Sequence, residues 1–287
     1  MLILQFIYSS SLKIRMKRIG LLGCGSIGTQ IAIAIDTGII PAQLTHIFDE
    51  DKDKSNLLIT KLKQKPEIVE NAHLLSSNPL DLVVEAASQD AVSDNALSII
   101  QNRKDLLIMS GGALLDESVF EIISDACKEF KKTVYLPSGA ISGLDAIKSV
   151  KNELESVVLS TTKHPNSLKG AKFFEDFKIN LEDIKEKSTI FEGTANEAVR
   201  LFPKNINVSA LLSLSGLGSH ETIVKIIADP NTTKNTHEIT ARGKFGQITT
   251  KIENVPDPQN PRTSRLAILS AIETLRSICT DEIKIGT

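Results

Sequence analysis

Apolar positions fall into two different rhythms along the chain. From Lys17 onward, short continuous apolar runs alternate with stretches in which apolar residues recur every three or four positions, the mark of buried strands alternating with amphipathic helices. The runs are Arg18–Leu22, Leu44–Phe48, Leu80–Ala87, Asp105–Met109 and Thr133–Leu136. The helical stretches open on Ile27, Ile31, Ala34 and Ile35 and recur over Lys52–Lys65, Gln89–Asn102 and Glu117–Phe130. Strands separated by helices in this way predict a parallel, doubly wound sheet. Beyond Gly143 the period becomes two. Glu155–Thr162, Ser188–Glu192, Thr222–Asp229, Thr236–Arg242 and Gln247–Glu253 alternate apolar with polar residues, which predicts a mostly antiparallel sheet with one covered and one open face. Gly143–Lys151, Thr194–Leu201 and Ile206–Leu217 are the helices expected to cover it. A last periodic helix, Arg265–Cys279, with Thr263 or Ser264 as its cap, is expected to return to the first half.

This grammar divides the chain into an extension over 1–15, a first domain over 16–137 plus 261–287, and a second over 138–260, expected from the motifs each carries to be the nucleotide-binding domain and the catalytic and oligomerisation domain. The extension is apolar first and basic afterwards, the reverse of a signal peptide, and is far shorter than the ~20 apolar residues of a membrane span. Met16, directly before the first strand, is the expected functional start.

The turn after the first strand carries chemistry. Gly23-Cys-Gly25-Ser26-Ile27-Gly28 follows a strand and opens a helix. One glycine permits the tight turn, one lets a pyrophosphate approach the backbone, and one lets helix and strand pack closely. The second strand ends on Asp49, at the spacing expected of an acid that accepts the ribose hydroxyls, which favours NAD over NADP. Asp51 is its rival, and Lys52 and Lys54 leave NADP possible. Ala86 and Ala87, at the carboxyl end of the third long run, are expected beside the coenzyme, with Ser88 following. Glu85 reads equally well as a structural hydrogen-bonding group.

Composition narrows the classes. The 287 residues carry 33 basic against 35 acidic side chains and 4% aromatics with no Trp, so neither a basic nucleic-acid face nor a stacking platform is expected. No membrane segment is read from the pattern. Cys24, Cys127 and Cys279 are odd in number and far apart, which fits a reducing cytoplasm rather than a disulfide framework, and all three read as packing residues. Among the five histidines, no two have metal-ligand spacing, so no metal is expected. His46, His73, His164 and His220 fall at segment edges and read as surface residues. His237 differs: it shares a strand face with Ile239 and Ala241, so it points inward, either as a satisfied core residue or as a proton-transfer group.

Several strings together resemble one family. Besides the glycine turn, these are Pro137-Ser-Gly-Ala140-Ile-Ser-Gly143-Leu-Asp-Ala146, Phe202-Pro-Lys204-Asn-Ile-Asn207-Val-Ser-Ala210, Ala228-Asp-Pro230 with Asn235-Thr-His237, and Asn260-Pro-Arg262-Thr-Ser264. From about Lys17 to the last helix, the chain resembles the L-aspartate dehydrogenases. The resemblance implies a Rossmann-type first domain and NAD(P)-dependent oxidation of L-aspartate to iminoaspartate, which then gives oxaloacetate and ammonia or feeds quinolinate for NAD synthesis. It makes His237 the match to the catalytic histidine, and Ala140 and Asn207 the matches to cofactor-contacting residues. Substrate carboxylates require donors: Asn207 and Lys204 are the leading candidates, with Arg262 beside them and Arg242 and Lys244 ranked lower on the opposite strand face. Two other readings stay open. A homoserine dehydrogenase-like enzyme would use Lys148 or Lys204 as its proton carrier, and a non-catalytic protein would sense NAD(H). A homodimer or higher homo-oligomer is expected if the open sheet face carries residues such as Val158 and Ile223.

Overall fold

The structure is a computed structural model that describes residues 15–202, 207–255, 264–280 and 283. Lys204 and Arg262 lie outside these residues, as does the 1–14 part of the extension.

Six strands form the first sheet. The chain runs β1 (Lys17–Leu22), α1 (Ser26–Asp36), β2 (Ala42–Phe48), α2 (Lys52–Lys61), β3 (Glu67–Ile68), α3 (Ala72–Ser77), β4 (Leu82–Glu85), α4 (Gln89–Gln101), β5 (Asp105–Ile108), α5 (Glu117–Phe130) and β6 (Val134–Tyr135). All neighbours pair in parallel, in the order β3-β2-β1-β4-β5-β6. Such strands are buried on both faces, which is why Leu82, Val83 and Val84 are apolar without alternation. The direction of winding reverses between β1 and β4, so their carboxyl ends flank the crevice where α/β sheets bind ligands. Helices start where a polar side chain meets the first free amides: Asp116 accepts from Ser118 and Val119 at α5, and Ser88 from Ala91 at α4.

The second sheet follows. After α6 (Leu144–Ser149) come β7 (Leu154–Lys163), α7 (Lys172–Asp176), β8 (Ser188–Thr194), α8 (Ala195–Leu201), α9 (Asn207–Ser215), β9 (Thr222–Ala228), β10 (Asn235–Gly243), β11 (Gly246–Asn254) and α10 (Arg265–Cys279). The order is β11-β10-β7-β9-β8. Three neighbouring pairs are antiparallel and one, β7 with β9, is parallel. That parallel pair requires a long crossover, supplied by the segment that carries α7, β8, α8 and α9. One face is covered: Val157, Leu159, Ile239 and Ala241 pack with Ile147 of α6 and Leu212 of α9. Next to it Phe173, Phe174 and Phe202 form an aromatic cluster over Val224 and Ile226. Helix α10 packs Ala271 and Leu275 against the α1 side of the first sheet.

Three short elements, β3, α3 and α7, are invisible to periodicity because they span two to six residues. His46 corrects its surface reading: it lies on β2, 8% exposed, with Nδ1 2.9 Å from Thr45 Oγ1. His46 shares a strand face with the core residues Ala42 and Leu44, so a position that reads as an edge becomes interior.

Candidate active site

The glycine turn is shaped by collisions. Gly23 has φ +101°, and a Cβ there would lie 2.6 Å from the Ala86 carbonyl at the end of β4. At Gly28 a Cβ would run into the carbonyl oxygen of Gly23, so this glycine lets α1 pack on the turn. Gly25 is the opposite case: an added Cβ meets no atom within 4 Å. Packing does not explain that glycine, and the open space leaves its backbone accessible to a ligand. Gly25 is also the N-cap of α1, with no side-chain cap, and the first turn over Ser26, Ile27 and Gly28 contains no acid. An uncapped helix start without negative charge suits a pyrophosphate.

Asp49 stands beside this turn. Its Oδ2 accepts from the Cys24 amide at 2.7 Å and its Oδ1 from the Asp51 amide at 2.9 Å. Asp51 caps α2 through the Asp53 amide and lies 3.6 Å from Lys54. Asp51 therefore has a capping role, and Asp49 sits on the turn. Cys24 is buried, and burial pushes its thiol up to about 11, so it is inert packing. This set of residues fits a dinucleotide.

At the end of β4, Glu85 ties two strand ends together. Its carboxylate accepts from the amides of Ala87, Met109 and Ser110 and from the Ser110 hydroxyl, at 2.7 to 3.1 Å. Burial raises its pKa, and those donors oppose the rise. Glu85 is therefore a structural clamp. Ala86 is half-buried, while Ala87 and Ser88 are exposed at the rim it fixes.

The inner face of the second sheet changes character along its length. On β7 the inward series reads Val157, Leu159, Thr161, Lys163, and on β10 it reads Ala241, Ile239, His237, Asn235. Thr161 and His237 are direct cross-strand partners, with Thr161 Oγ1 2.9 Å from His237 Nδ1. His237 is 3% exposed, and burial together with the Lys163 charge lowers its pKa to about 3. The ring is consequently neutral at physiological pH. Lys163 is 5% exposed, and burial lowers its ammonium to about 8. Sequence reading missed it, because the strand pattern stops at Thr162 and a terminal lysine reads as solvated.

Two hydrogen bonds attach this face to its surroundings. Asn254, the partner of Asn235 on β11, donates through Nδ2 to the Ala140 carbonyl at 2.9 Å. Asn207, first residue of α9, accepts through Oδ1 from the Gly112 amide at 3.1 Å, just past β5. Ala140 is thus adjacent to the polar end of the sheet that holds His237, and Asn207 sits at the seam with the first sheet.

Comparison with known proteins agrees with both halves. Residues 23–137 match the family described as homoserine dehydrogenase, NAD binding domain, and residues 145–278 match aspartate dehydrogenase, C-terminal. The L-aspartate dehydrogenase of Nitrosopumilus maritimus is 69% identical over 272 residues, covering 95% of this chain and 100% of the relative. The chain belongs to the L-aspartate dehydrogenase family. Another member, from Methanocaldococcus jannaschii, is 41% identical over 274 residues, at 95% of this chain and 100% of its own. The crystal structure of aspartate dehydrogenase from Thermotoga maritima superposes with a TM-score of 0.74 at 29% identity, covering 94% of this chain and 99% of that one. As a member of this family, the chain is an NAD-dependent oxidoreductase with an NAD-binding half. Among the described residues, no helix is long and apolar enough to cross a membrane.

Proposed function

We propose that this protein oxidises L-aspartate to iminoaspartate, with His237 as the group that moves the proton. The observation that carries the reading is the Thr161–His237 contact: a neutral, buried imidazole held by one nitrogen on a sheet face that turns polar around it. When bound, NAD supplies a nicotinamide that takes the Cα hydride with its electron pair. The substrate amine must first lose a proton. With His237 Nδ1–H donated to Thr161 Oγ1, Nε2 keeps a lone pair directed at the substrate side, and it receives that proton. From the ammonium form of L-aspartate one proton and one hydride leave, which balances its conversion to the protonated imine. The same imidazole can later assist water in attacking the imine, giving oxaloacetate and ammonia, unless the imine is passed on toward quinolinate.

Gly23, Gly25, Ser26, Ile27 and Gly28 are assigned to the pyrophosphate, Asp49 to the ribose, and Ala86, Ala87, Ala140 and Asn207 to the nicotinamide side, with Asn207 also oriented toward substrate. The homoserine alternative gains nothing from Lys148, which is exposed on α6. Val158 and Ile223 pair on the open face of the second sheet and are only half-buried, which supports a homodimer through that face. Light scattering at working concentration tests it, and a monomer refutes it.

The deciding experiment is NADH formation measured by absorbance with L-aspartate, L-homoserine or no amino acid. Turnover with L-aspartate alone is expected, and His237→Asn should lower kcat by about 100-fold or more with NADH binding intact. Signal with L-homoserine, or a His237 variant at wild-type rate, overturns the reading.

A further inference from the structure

We propose that Lys163 and Asn235 form the seat for one carboxylate of the dicarboxylate substrate, one step along the sheet from His237. The proposal rests on L-aspartate being the substrate class.

The argument begins with register. Strands β7 and β10 are antiparallel, and Thr161 faces His237. Moving two residues forward on β7 and two back on β10 brings Lys163 and Asn235 to the same level on the same inward face. The step is ~6.7 Å along the strands, and the separation across them is ~4.8 Å. Lys163 and Asn235 are 5% and 2% exposed. The tier is completed by Ala228, partner of Lys163 on β9, and by Asn254, partner of Asn235 on β11. Alanine beside the lysine is short, and the Asn254 amide group is committed to the Ala140 carbonyl.

The second observation is chemical. The Nδ2 of Asn235 is buried and has no hydrogen-bond partner among the described residues. Native structures pair nearly all such donors, and one left open beside a buried cation points to an anionic acceptor that arrives from outside. A carboxylate has two oxygens and accepts from both groups at once; charge-assisted bonds of this kind are strong where water is excluded. Arg242 and Lys244 are exposed at the far end of β10, and Lys148 is exposed on α6. They do not share this tier.

The seat also bears on the proton. The Lys163 charge is one of two causes that disfavour imidazolium at His237. A carboxylate bound to Lys163 neutralises it, so the imidazole becomes a better base when the substrate is in place.

The test uses the full chain with three readouts: KM and kcat for L-aspartate, the affinity of succinate as a non-reacting dicarboxylate, and the Kd of NADH. Lys163→Met should raise KM about 30-fold, the size expected when one charged hydrogen bond is lost, weaken succinate in parallel, and leave NADH binding within twofold. Lys163→Arg should recover part of the loss. Asn235→Asp keeps the side-chain shape and adds a repelling charge, so it too should raise KM and weaken succinate; it carries the test if Lys163→Met does not fold. KM and succinate affinity within threefold of wild type in both variants overturn the proposal, as does a wild-type protein that binds no succinate. If the wild type fails to oxidise L-aspartate yet binds succinate, the substrate reading falls separately. The seat is then judged on succinate alone, and loss of binding in the variants supports it. L-Asparagine identifies the carboxylate: collapse of the preference for aspartate in Lys163→Met assigns the side-chain group, and an equal loss for both substrates assigns the α-carboxylate.

Discussion

Thr161 Oγ1 lies 2.9 Å from His237 Nδ1 across the β7–β10 ladder. This contact orients the ring and, in the proposed mechanism, selects the tautomer with a free Nε2. Thr161→Val keeps the volume and deletes the partner, leaving a buried ring nitrogen unsatisfied. The expected result is a kcat about tenfold lower with NADH binding unchanged, from a loss of roughly 1–2 kcal/mol. Thr161→Ser should restore most of the rate. Steady-state kinetics on the pair would contradict the positioning role if valine and serine behaved alike.

Two glycines three apart, Gly25 and Gly28, predict opposite phenotypes. Gly25→Ala meets no protein atom within 4 Å and should melt at the wild-type temperature, yet lose NADH affinity by about tenfold because the methyl occupies the approach to the backbone. Gly28→Ala drives a methyl into the Gly23 carbonyl and should cost about 3 kcal/mol of stability, in the range of overpacked cores. Thermal melts with and without NADH separate them.

Asp49 should control coenzyme choice. Asp49→Asn retains one acceptor for the Cys24 amide, so the turn survives, but removes the charge that repels a 2′-phosphate. The ratio of kcat/KM for NADP over NAD is expected to rise by about tenfold. An unchanged ratio would transfer the role to another residue.

The depressed pKa of His237 predicts how stability responds to acid. The folded ring titrates at about 3, against an ordinary value of 6.5, with burial the first cause and Lys163 the second. Between these values the unfolded chain binds a proton that the folded chain does not, so stability from this group is complete above pH 6.5 and is lost as pH falls toward 3. Urea unfolding at pH 7 and pH 5 should show the wild type losing about 1–2 kcal/mol more than His237→Gln over that interval. Equal losses in the two proteins would place the ring in water instead.

Much of the architecture was legible because buried parallel strands and half-covered antiparallel strands leave different periods. Helix α5 was readable to its ends, since Asp116 and the apolar spacing of Ile123 and Ala126 are local signals. The glycine turn was legible for the same reason. Lys163 was not, because its burial depends on what lies over the end of β7, and no local pattern records that. Nor was the β7–β9 parallel pairing, since alternation gives a strand's faces and not its neighbours. His46 failed for a related reason: its face of β2, shared with Ala42 and Leu44, is covered by core packing that no local pattern records. At Asp49 and Asp51, spacing left a choice open, and hydrogen-bond geometry adds that Asp51 caps a helix while Asp49 braces the glycine turn.

The bond from the Gly112 amide to Asn207 bears on how such a protein can be inherited. It joins positions 95 residues apart, and Leu211, one turn further along α9, packs against Gly111 and Gly139. The coenzyme-binding half and the half with His237 look like exchangeable modules in sequence, but their seam is a matched surface. A chimera that grafts this coenzyme half onto a foreign partner must import an acceptor for Gly112 and a side chain of leucine size against the two glycines. Recombination between distant lineages is therefore constrained at α9, well away from the reacting atoms.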